Sequence, residues 1–311
     1  WHPAKAQNNA STYPQKPIKI LVGFAAGGPT DSSARALAEG MTKVLGQQVV
    51  IENRPGANAQ IAAVELIKSP ADGYTLMLAS NGTLALGGAR YAKLPYDVER
   101  DFVAVTNVAG SSNLLVVHPS LPANSVSELV ALLKAAPGKY NYGSSGVGGA
   151  GHLAMALFES MAGVDVVHVP YKGGAPAVVD LVAGRLTLMM ANLTTAQPHI
   201  RAGKLRPLAQ IAENKIEGFP NVPLLREAGF PVPNVPQLRG LIGPPDMPPA
   251  AVAYYADLFK RASQAPAYKA YLTSKQLGNE YLAPTDLRKA LDSYQVELRG
   301  ILKGAGLKVV R

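Results

Sequence analysis

The chain contains no cysteine in its 311 residues. Disulfide bonds, thiolate nucleophiles and zinc–thiolate sites are therefore excluded. The absence fits any compartment and suits an oxidising one, where stray thiols are a hazard. Apolar residues make up 48% of the chain, enough for a sizeable core, but they never form an uninterrupted run on the order of 18 residues. The sequence therefore predicts a folded protein without a membrane-spanning helix.

Metal-binding and nucleic-acid-binding patterns are also missing. The five histidines are scattered, and no two of them have metal-ligand spacing on one helix. The net charge is +9, but basic residues form no cluster, and the aromatic residues (6%) do not alternate with them. We therefore expect no metal and no nucleic-acid partner.

Two glycine-rich turns share one design and lie far apart in the chain. Residues 18–24 (IKILVGF) lead into 25–31 (AAGGPTD), and a helical pattern starts at Ser32. Residues 139–142 (KYNY) lead into 143–151 (GSSGVGGAG), and a helical pattern starts at His152. The start of a helix presents unpaired N–H groups and a partial positive charge, which attract anions. The two turns together predict a clamp for a small anion.

The order of the predicted elements indicates an α/β fold with two lobes. Strands at 18–24, 48–52 and 74–79 alternate with helices at 32–45 and 59–68, which predicts a parallel sheet. The alternation repeats between residues 113 and 190, a strand returns at 235–242, and the remainder is mostly helical. We assign residues 1–110 plus 238–311 to lobe 1, and 111–237 to lobe 2. Ligands of such sheets bind beyond the carboxyl ends of strands, so both turns should face one cleft.

Polar side chains at the predicted strand ends are the candidate ligand contacts. We expect backbone amides and Thr30 to donate hydrogen bonds in the first turn, with Asp31 organising the loop. In the second turn, backbone amides and the hydroxyls of two adjacent serines suit a carboxylate. Other strand ends contribute Ser80, Asn81, Tyr171, which either lines the pocket or packs against the turn, and Asn192.

The second turn matches a dinucleotide-binding motif only in part. Gly146, Gly148 and Gly151 form a G-x-G-x-x-G pattern, but a dinucleotide site needs an acidic residue at the end of the next strand. Asp165 stands instead at the start of that strand. The sequence therefore predicts no cofactor.

An enzyme is the alternative from another class, with acyl or phosphoryl transfer as its chemistry. It needs a base beside a nucleophile, and Ser144 or Ser145 with His152 is the pairing that the sequence offers. That pairing lacks an orienting acid, so binding without catalysis is favoured.

The chain resembles the substrate-binding receptors of tripartite tricarboxylate transporters, also called Bug-type receptors. The resemblance runs from about Tyr13 to the C-terminus. It is carried by residues 13–18 (YPQKPI), 24–31 (FAAGGPTD), 50–57 (VIENRPGA), 69–76 (SPADGYTL), 93–97 (KLPYD), 151–154 (GHLA) and 168–177 (HVPYKGGAPA). It implies a two-lobe, type II-like periplasmic binding protein that holds a carboxylate between its lobes and delivers it to membrane transport subunits.

The resemblance also implies a set of ligand-binding residues. The first half-site would comprise Ala26, Gly27, Gly28, Thr30 and Asp31; the second Ser144, Ser145, Gly148, Gly149 and Ala150; and the flanking residues Ser80, Asn81, Tyr171 and Asn192. We expect a monomer in the periplasm whose leader has been removed, since residues 1–12 are polar and begin with Trp1. A receptor that feeds a signalling partner remains an alternative.

The chain departs from the family pattern at three places. Residues 82–87 (GTLALG) lack a histidine that is common there, and Ala191 replaces a common aspartate. Leu238 and Arg239 stand where an aromatic pair is common. The lost aspartate and the gained arginine would favour a second carboxylate on the ligand, whereas the apolar replacements would admit an aromatic acid.

Overall fold

The computed structural model describes residues 13–80, 83–84, 94–232, 238–278 and 281–304. In those ranges the strands are β1 Ile18–Val22, β2 Val49–Asn53, β3 Thr75–Ser80, β4 Val103–Ala109, β5 Asn113–Val117, β6 Asn141–Ser144, β7 Val167–Pro170, β8 Leu188–Asn192, β9 Arg206–Ile211 and β10 Arg239–Gly243. The helices are α1 Pro29–Leu45, α2 Gln60–Ile67, α3 Val126–Ala135, α4 Ala150–Ala162, α5 Gly174–Val182, α6 Leu193–Arg201, α7 Pro249–Ala262, α8 Pro266–Lys275 and α9 Pro284–Gly304.

The strands form two separate five-stranded sheets, which confirms the two-lobe α/β prediction. The first sheet has the order β2-β1-β3-β10-β4, and the second has the order β7-β6-β8-β5-β9. In the first, β1 runs parallel to β2 and β3, as predicted, whereas β10 is antiparallel to both of its neighbours. Each sheet is therefore mixed rather than wholly parallel. The residue boundaries assigned to the two lobes remain predictions, and residues 233–237 lie outside the described ranges.

Some elements differ from the sequence expectation. Helix α1 begins at Pro29 rather than Ser32, because proline fits the first position of a helix. It ends as predicted before Gly46, whose N–H donates to the carbonyl of Thr42. The sequence analysis missed β4, β9 and α6. Strand β9 and helix α6 contain Pro207 and Pro198, which oppose regular structure, and two adjacent polar residues, Thr106 and Asn107, interrupt the apolar sequence of β4.

Each sheet is covered by helices on both of its faces, so its central strands are almost fully buried, whereas the edge strands β2 and β7 are partly exposed. In the first lobe, α1, α7 and α8 cover one face, while α2 and α9 cover the other. Two corresponding apolar clusters cover the second sheet. Burial on both sides explains why β1 is apolar except at Lys19 and why β5 is apolar after Asn113.

Helix α3 starts with the predicted capping residues. The Ser125 hydroxyl accepts a hydrogen bond from the Glu128 N–H at 3.1 Å. The Glu128 carboxylate in turn accepts from the N–H of Asn124 at 2.7 Å, one residue before the cap. This side-chain cap occupies the N-terminus of α3.

The last turn of α4 carries a carboxyl group with a shifted pKa. Burial raises the pKa of Glu159 to about 7. The N–H of Val166 donates to its Oε1 at 3.0 Å and opposes the rise, whereas the nearby charge of Asp165 adds to it. Because the pKa is higher in the folded protein than in the unfolded chain, protonation of Glu159 favours folding. That contribution is fully present below pH 4.5 and is lost as the pH rises to about 7.

We expect Glu159→Gln to flatten part of the pH dependence of stability. Between pH 5 and 8 the wild type should lose about 1 kcal/mol that the variant keeps, after a discount for the solvent-exposed part of the side chain. Urea denaturation of both proteins at the two pH values measures the difference. The exposed Glu213→Gln is the matched control and should behave like the wild type. An identical pH dependence in Glu159→Gln and the wild type would contradict the assignment.

Candidate functional site

The two glycine-rich turns face each other across one cavity between the lobes. The centre of a water molecule can move through about 50 Å³ of this space, which is partly open to solvent. Its lining from the first lobe is Phe24, Pro29, Thr30, Asn58 and Ser80; from the second it is Ser145, Gly149, Ala150, Gly151, Gly174, Met189, Met190 and Asn192. Both halves of the chain therefore contribute to a single candidate site.

Three helices begin at this cavity, and glycine precedes each of them. Gly28, Gly149 and Gly173 stand at the N-cap positions of α1, α4 and α5, and none of the three helices has a side-chain cap. The first residues of all three helices line the cavity. Uncapped helix N-termini combine available N–H donors with a partial positive charge, so their convergence creates a site for an anion.

The lining residues of the cavity carry no formal charge. Hydroxyl and amide side chains come from Thr30, Asn58, Ser80, Ser145 and Asn192, and the apolar wall comes from one phenylalanine, one proline and two methionines. The lining itself therefore attracts an anion through helix dipoles and hydrogen-bond donors. The arrangement suits a small acid with an apolar body.

The first turn is held in place by Asp31. Its carboxylate is 2% exposed and accepts hydrogen bonds from the Gly27 N–H at 2.9 Å, from Arg35 Nε at 3.0 Å and from Asn53 Nδ2 at 3.0 Å. Burial alone would raise the pKa of Asp31, but the bonds from Arg35, Gly27 and Asn53 outweigh it and lower the pKa. Asp31 thus remains ionised and organises the loop.

Two histidines form hydrogen bonds with the second turn. Ser144 is fully buried, its hydroxyl lies 2.7 Å from Nε2 of His168, and it accepts from the Gly146 N–H at 3.1 Å. His152 accepts from the Gly148 N–H at Nδ1, 3.0 Å away, and its ring stacks on His168 with 4.1 Å between centroids. The serine–histidine pair in the structure is thus Ser144 with His168, not a serine with His152 as the enzyme alternative required.

The predicted site residues fall into three groups. Those lining the cavity are Thr30, Ser80, Ser145, Gly149, Ala150 and Asn192. Those outside its lining are Ala26, Gly27, Gly28, Asp31, Ser144, Gly148 and Tyr171. Asn81 lies outside the described residues. Gly27 borders a neighbouring cavity instead. The Tyr171 hydroxyl donates to Asp180 at 2.6 Å, which fits packing against the turn. Ligand contact by any of these residues remains a prediction.

Sequence reasoning missed Asn58, which reaches the cavity from a strained turn. Ala57, Asn58 and Ala59 have φ values of 45°, 50° and 70°, in the left-handed region that non-glycine residues rarely adopt. Strain of this kind concentrates at functional sites. The Pro55–Gly56 pair followed by an asparagine was the available signal, since asparagine tolerates this conformation better than most residues.

Six further lining residues were also missed. They belong to predicted elements, but the sequence did not indicate that these residues contact the cavity. They are Phe24, Pro29, Gly151, Gly174, Met189 and Met190. Gly151 permits a close approach of α4 to β8, because a Cβ there would lie 2.5 Å from the carbonyl oxygen of Met190. This contact places the start of α4 beside the end of β8. No sequence pattern predicts it.

The described residues contain no candidate metal site. Across those ranges, no group of three or more histidine, aspartate or glutamate side chains is placed to hold a metal ion. None of the helices within the described part of the chain is both long and apolar enough to cross a membrane.

Comparisons with known proteins agree with this geometry. Residues 33–306 match the model of the tripartite tricarboxylate transporter family receptor, TctC. Protein BugT of Bordetella pertussis is 40% identical over 224 residues, which cover 72% of this chain and 69% of that protein.

Two solved structures share the whole architecture. Rpa4515 of R. palustris with adipate has a TM-score of 0.90 and 32% identity, covering 95% of this chain and 99% of its own. MatC of Rhodopseudomonas palustris with bound malate has a TM-score of 0.88 and 29% identity, covering 93% and 100%. The family comprises solute-binding receptors rather than enzymes, and its solved members are two-lobe periplasmic binding proteins. The chain belongs to the TctC family of tripartite tricarboxylate transporter receptors.

Proposed function

We propose that this protein is a periplasmic receptor that captures a small organic carboxylate and delivers it to the membrane subunits of a tripartite tricarboxylate transporter. The observation that carries the proposal is the convergence of three uncapped helix N-termini on one cavity between the lobes. The adipate and malate bound to its structural relatives support a carboxylate as the ligand class.

The residues that line the cavity indicate which carboxylic acids it would bind best. Backbone N–H groups at helix starts bind a carboxylate well, because each oxygen accepts more than one hydrogen bond. Met189, Met190 and Phe24 provide apolar contact for the body of the ligand. An aliphatic or aromatic acid of a few carbon atoms suits this surface better than a heavily hydroxylated one, whose hydroxyls would lose hydrogen bonds to water.

Two hydrogen bonds link the lobes. The N–H of Ala25 in the first lobe donates to the carbonyl of Lys172 in the second at 3.0 Å. Gln197 Nε2 donates to Gln276 Oε1 at 3.1 Å at another point of the interface. These bonds require the lobes to be close together, so we assign this arrangement to the closed state of the receptor. A ligand that contacts both lobes stabilises that state over an open one.

Gly173 makes the contact beside Ala25 possible. Its φ is 148°, and a Cβ at this position would lie 3.2 Å from the Ala25 nitrogen and 3.5 Å from the Ala25 Cβ. A side chain would therefore both strain the backbone and push the lobes apart.

Carboxylate binding by the wild type is the direct test. We expect one or more of succinate, adipate, malate and benzoate to raise the melting temperature and to give a saturable calorimetric isotherm with one site per chain. The corresponding amides, which lack the negative charge, are the controls and should not bind. If none of the four acids binds or raises the melting temperature at millimolar concentration, the proposed function is refuted.

A charge placed in the cavity should abolish its preference for anions. Asn58→Asp keeps the side-chain size and a residue type that tolerates the left-handed conformation, but it adds a carboxylate at the cavity wall. We expect at least a tenfold loss of affinity for the best acid of the panel, about 1.4 kcal/mol. The exposed Asn221→Asp, with the same charge change, should bind like the wild type. Equal affinities of the two variants would place the ligand elsewhere.

Closure should fail in Gly173→Ala. We expect about a tenfold weaker affinity and a ligand-bound radius of gyration, from small-angle scattering, that stays at the ligand-free value. Gly163→Ala is the control, because its φ of 61° is also positive but no atom lies within 4 Å of the added Cβ. It should lose stability without losing ligand-induced compaction. Normal compaction in Gly173→Ala would show that the Ala25–Lys172 contact is not part of the closed state.

A further inference from the structure

Arg239 is a buried cation at the edge of the cleft. It is the first residue of β10, and its side chain is 1% exposed. Strand β10 runs antiparallel to β3, so its first residue lies at the carboxyl end of that strand, where the cleft is. Arg239 pairs in register with Ser80, and Ser80 lines the cavity.

The charge of Arg239 has no compensating anion in the described part of the protein. Its Nη1 and Nη2 atoms are buried and have no hydrogen-bond partner among the described residues. Burial lowers its pKa, and the groups whose charge acts on it are the tyrosines Tyr268 and Tyr271. An ionised group removed from water without a partner is expensive, and buried arginines are accordingly paired in folded proteins.

Arg239 lies directly beside a residue that lines the cavity. Residues directly opposite each other in a sheet share a face, so Arg239 and Ser80 project from the same side. Tyr271, which acts on the arginine, has its hydroxyl 3.1 Å from Ser33 Oγ in the first turns of α1. Thr30, one turn earlier in α1, lines the cavity together with Ser80. Arg239 is therefore adjacent to Ser80, which lines the cavity, and is linked through Tyr271 to the first turns of α1.

We propose that Arg239 is the counter-charge for the bound ligand, and that the site is electrostatically incomplete until an anion occupies the cavity. The inference rests on the proposed function, because it requires an anionic ligand there. A charge in a poorly hydrated interior acts over a longer distance than one in water, so direct contact is not required. Because the interaction energy scales with ligand charge, Arg239 favours acids that carry two negative charges over those that carry one.

The test compares Arg239→Met, Arg239→Lys and the control Arg261→Met with the wild type. Arg261 is an exposed residue of the same lobe that pairs with Asp257, so its loss changes the net charge equally. Adipate and benzoate are the probes, and affinity and melting temperature are the readouts. We expect Arg239→Met to weaken benzoate about tenfold and adipate by a larger factor. Arg239→Lys should stay within about fivefold of the wild type, and Arg261→Met should be unchanged.

The melting temperature of the ligand-free variants separates a ligand role from a structural one. Removal of an uncompensated buried charge should leave the melting temperature of Arg239→Met equal to that of the wild type or higher. A misfolded or strongly destabilised Arg239→Met would show that the protein itself compensates the charge, and would overturn the inference. Unchanged affinity for both acids would overturn it as well, while leaving the proposed function intact. If the wild type binds neither these nor any other acid, the proposed function fails first.

Discussion

The structure depends on helix N–H groups that the protein leaves without side-chain caps. A serine or aspartate at the N-cap would occupy them, as Ser125 does in α3. At the cavity, the caps of α1, α4 and α5 are all glycines. Each helix thereby gives up a stabilising hydrogen bond, and the donors remain available to whatever anion enters between the lobes. The glycine-rich turns follow from this requirement, because the chain must turn sharply from a strand end into a helix without a side chain that would cover the amides.

Rigid support behind the turns gives these donors their direction. Asp31 fixes the first turn through Gly27 and Asn53, while Ser144, His168 and His152 fix the second through the amides of Gly146 and Gly148. Both supports use buried polar groups that are engaged in hydrogen bonds, so the turns are attached to the two sheets rather than mobile at their surface. Preorganised donors need little rearrangement when a ligand arrives, which raises affinity without new contacts.

The sequence allowed the prediction of the two lobes, the helix starts and several lining residues because these depend on local chemistry. Apolar runs, glycine turns and helix periodicity act over a few residues. Thr30, Ser145 and Asn192 could be placed at strand ends for that reason. Asn58, Met189 and Met190 depend on which elements pack together across the cleft, and that information is not local. The contact between Ser144 and His168 had the same origin: residues 24 positions apart meet only because β6 and β7 are neighbours in the sheet. Tertiary packing likewise allowed α6 and β9 to form around prolines that argued against them.

Electrostatics links ligand binding to the closed state. The cavity lining carries no formal charge, but the positive ends of helix dipoles from both lobes meet there, so they repel one another until an anion lies between them. In an open form each set of dipoles would face water, which screens them; in the closed form they act in a less polarisable interior. An anion therefore interacts more strongly with the closed arrangement than with either lobe alone, and this difference in interaction free energy is what shifts the equilibrium towards closure. A neutral molecule of equal size gains the apolar contacts but not the dipole energy, so the same geometry that closes the receptor also selects the charge of its ligand.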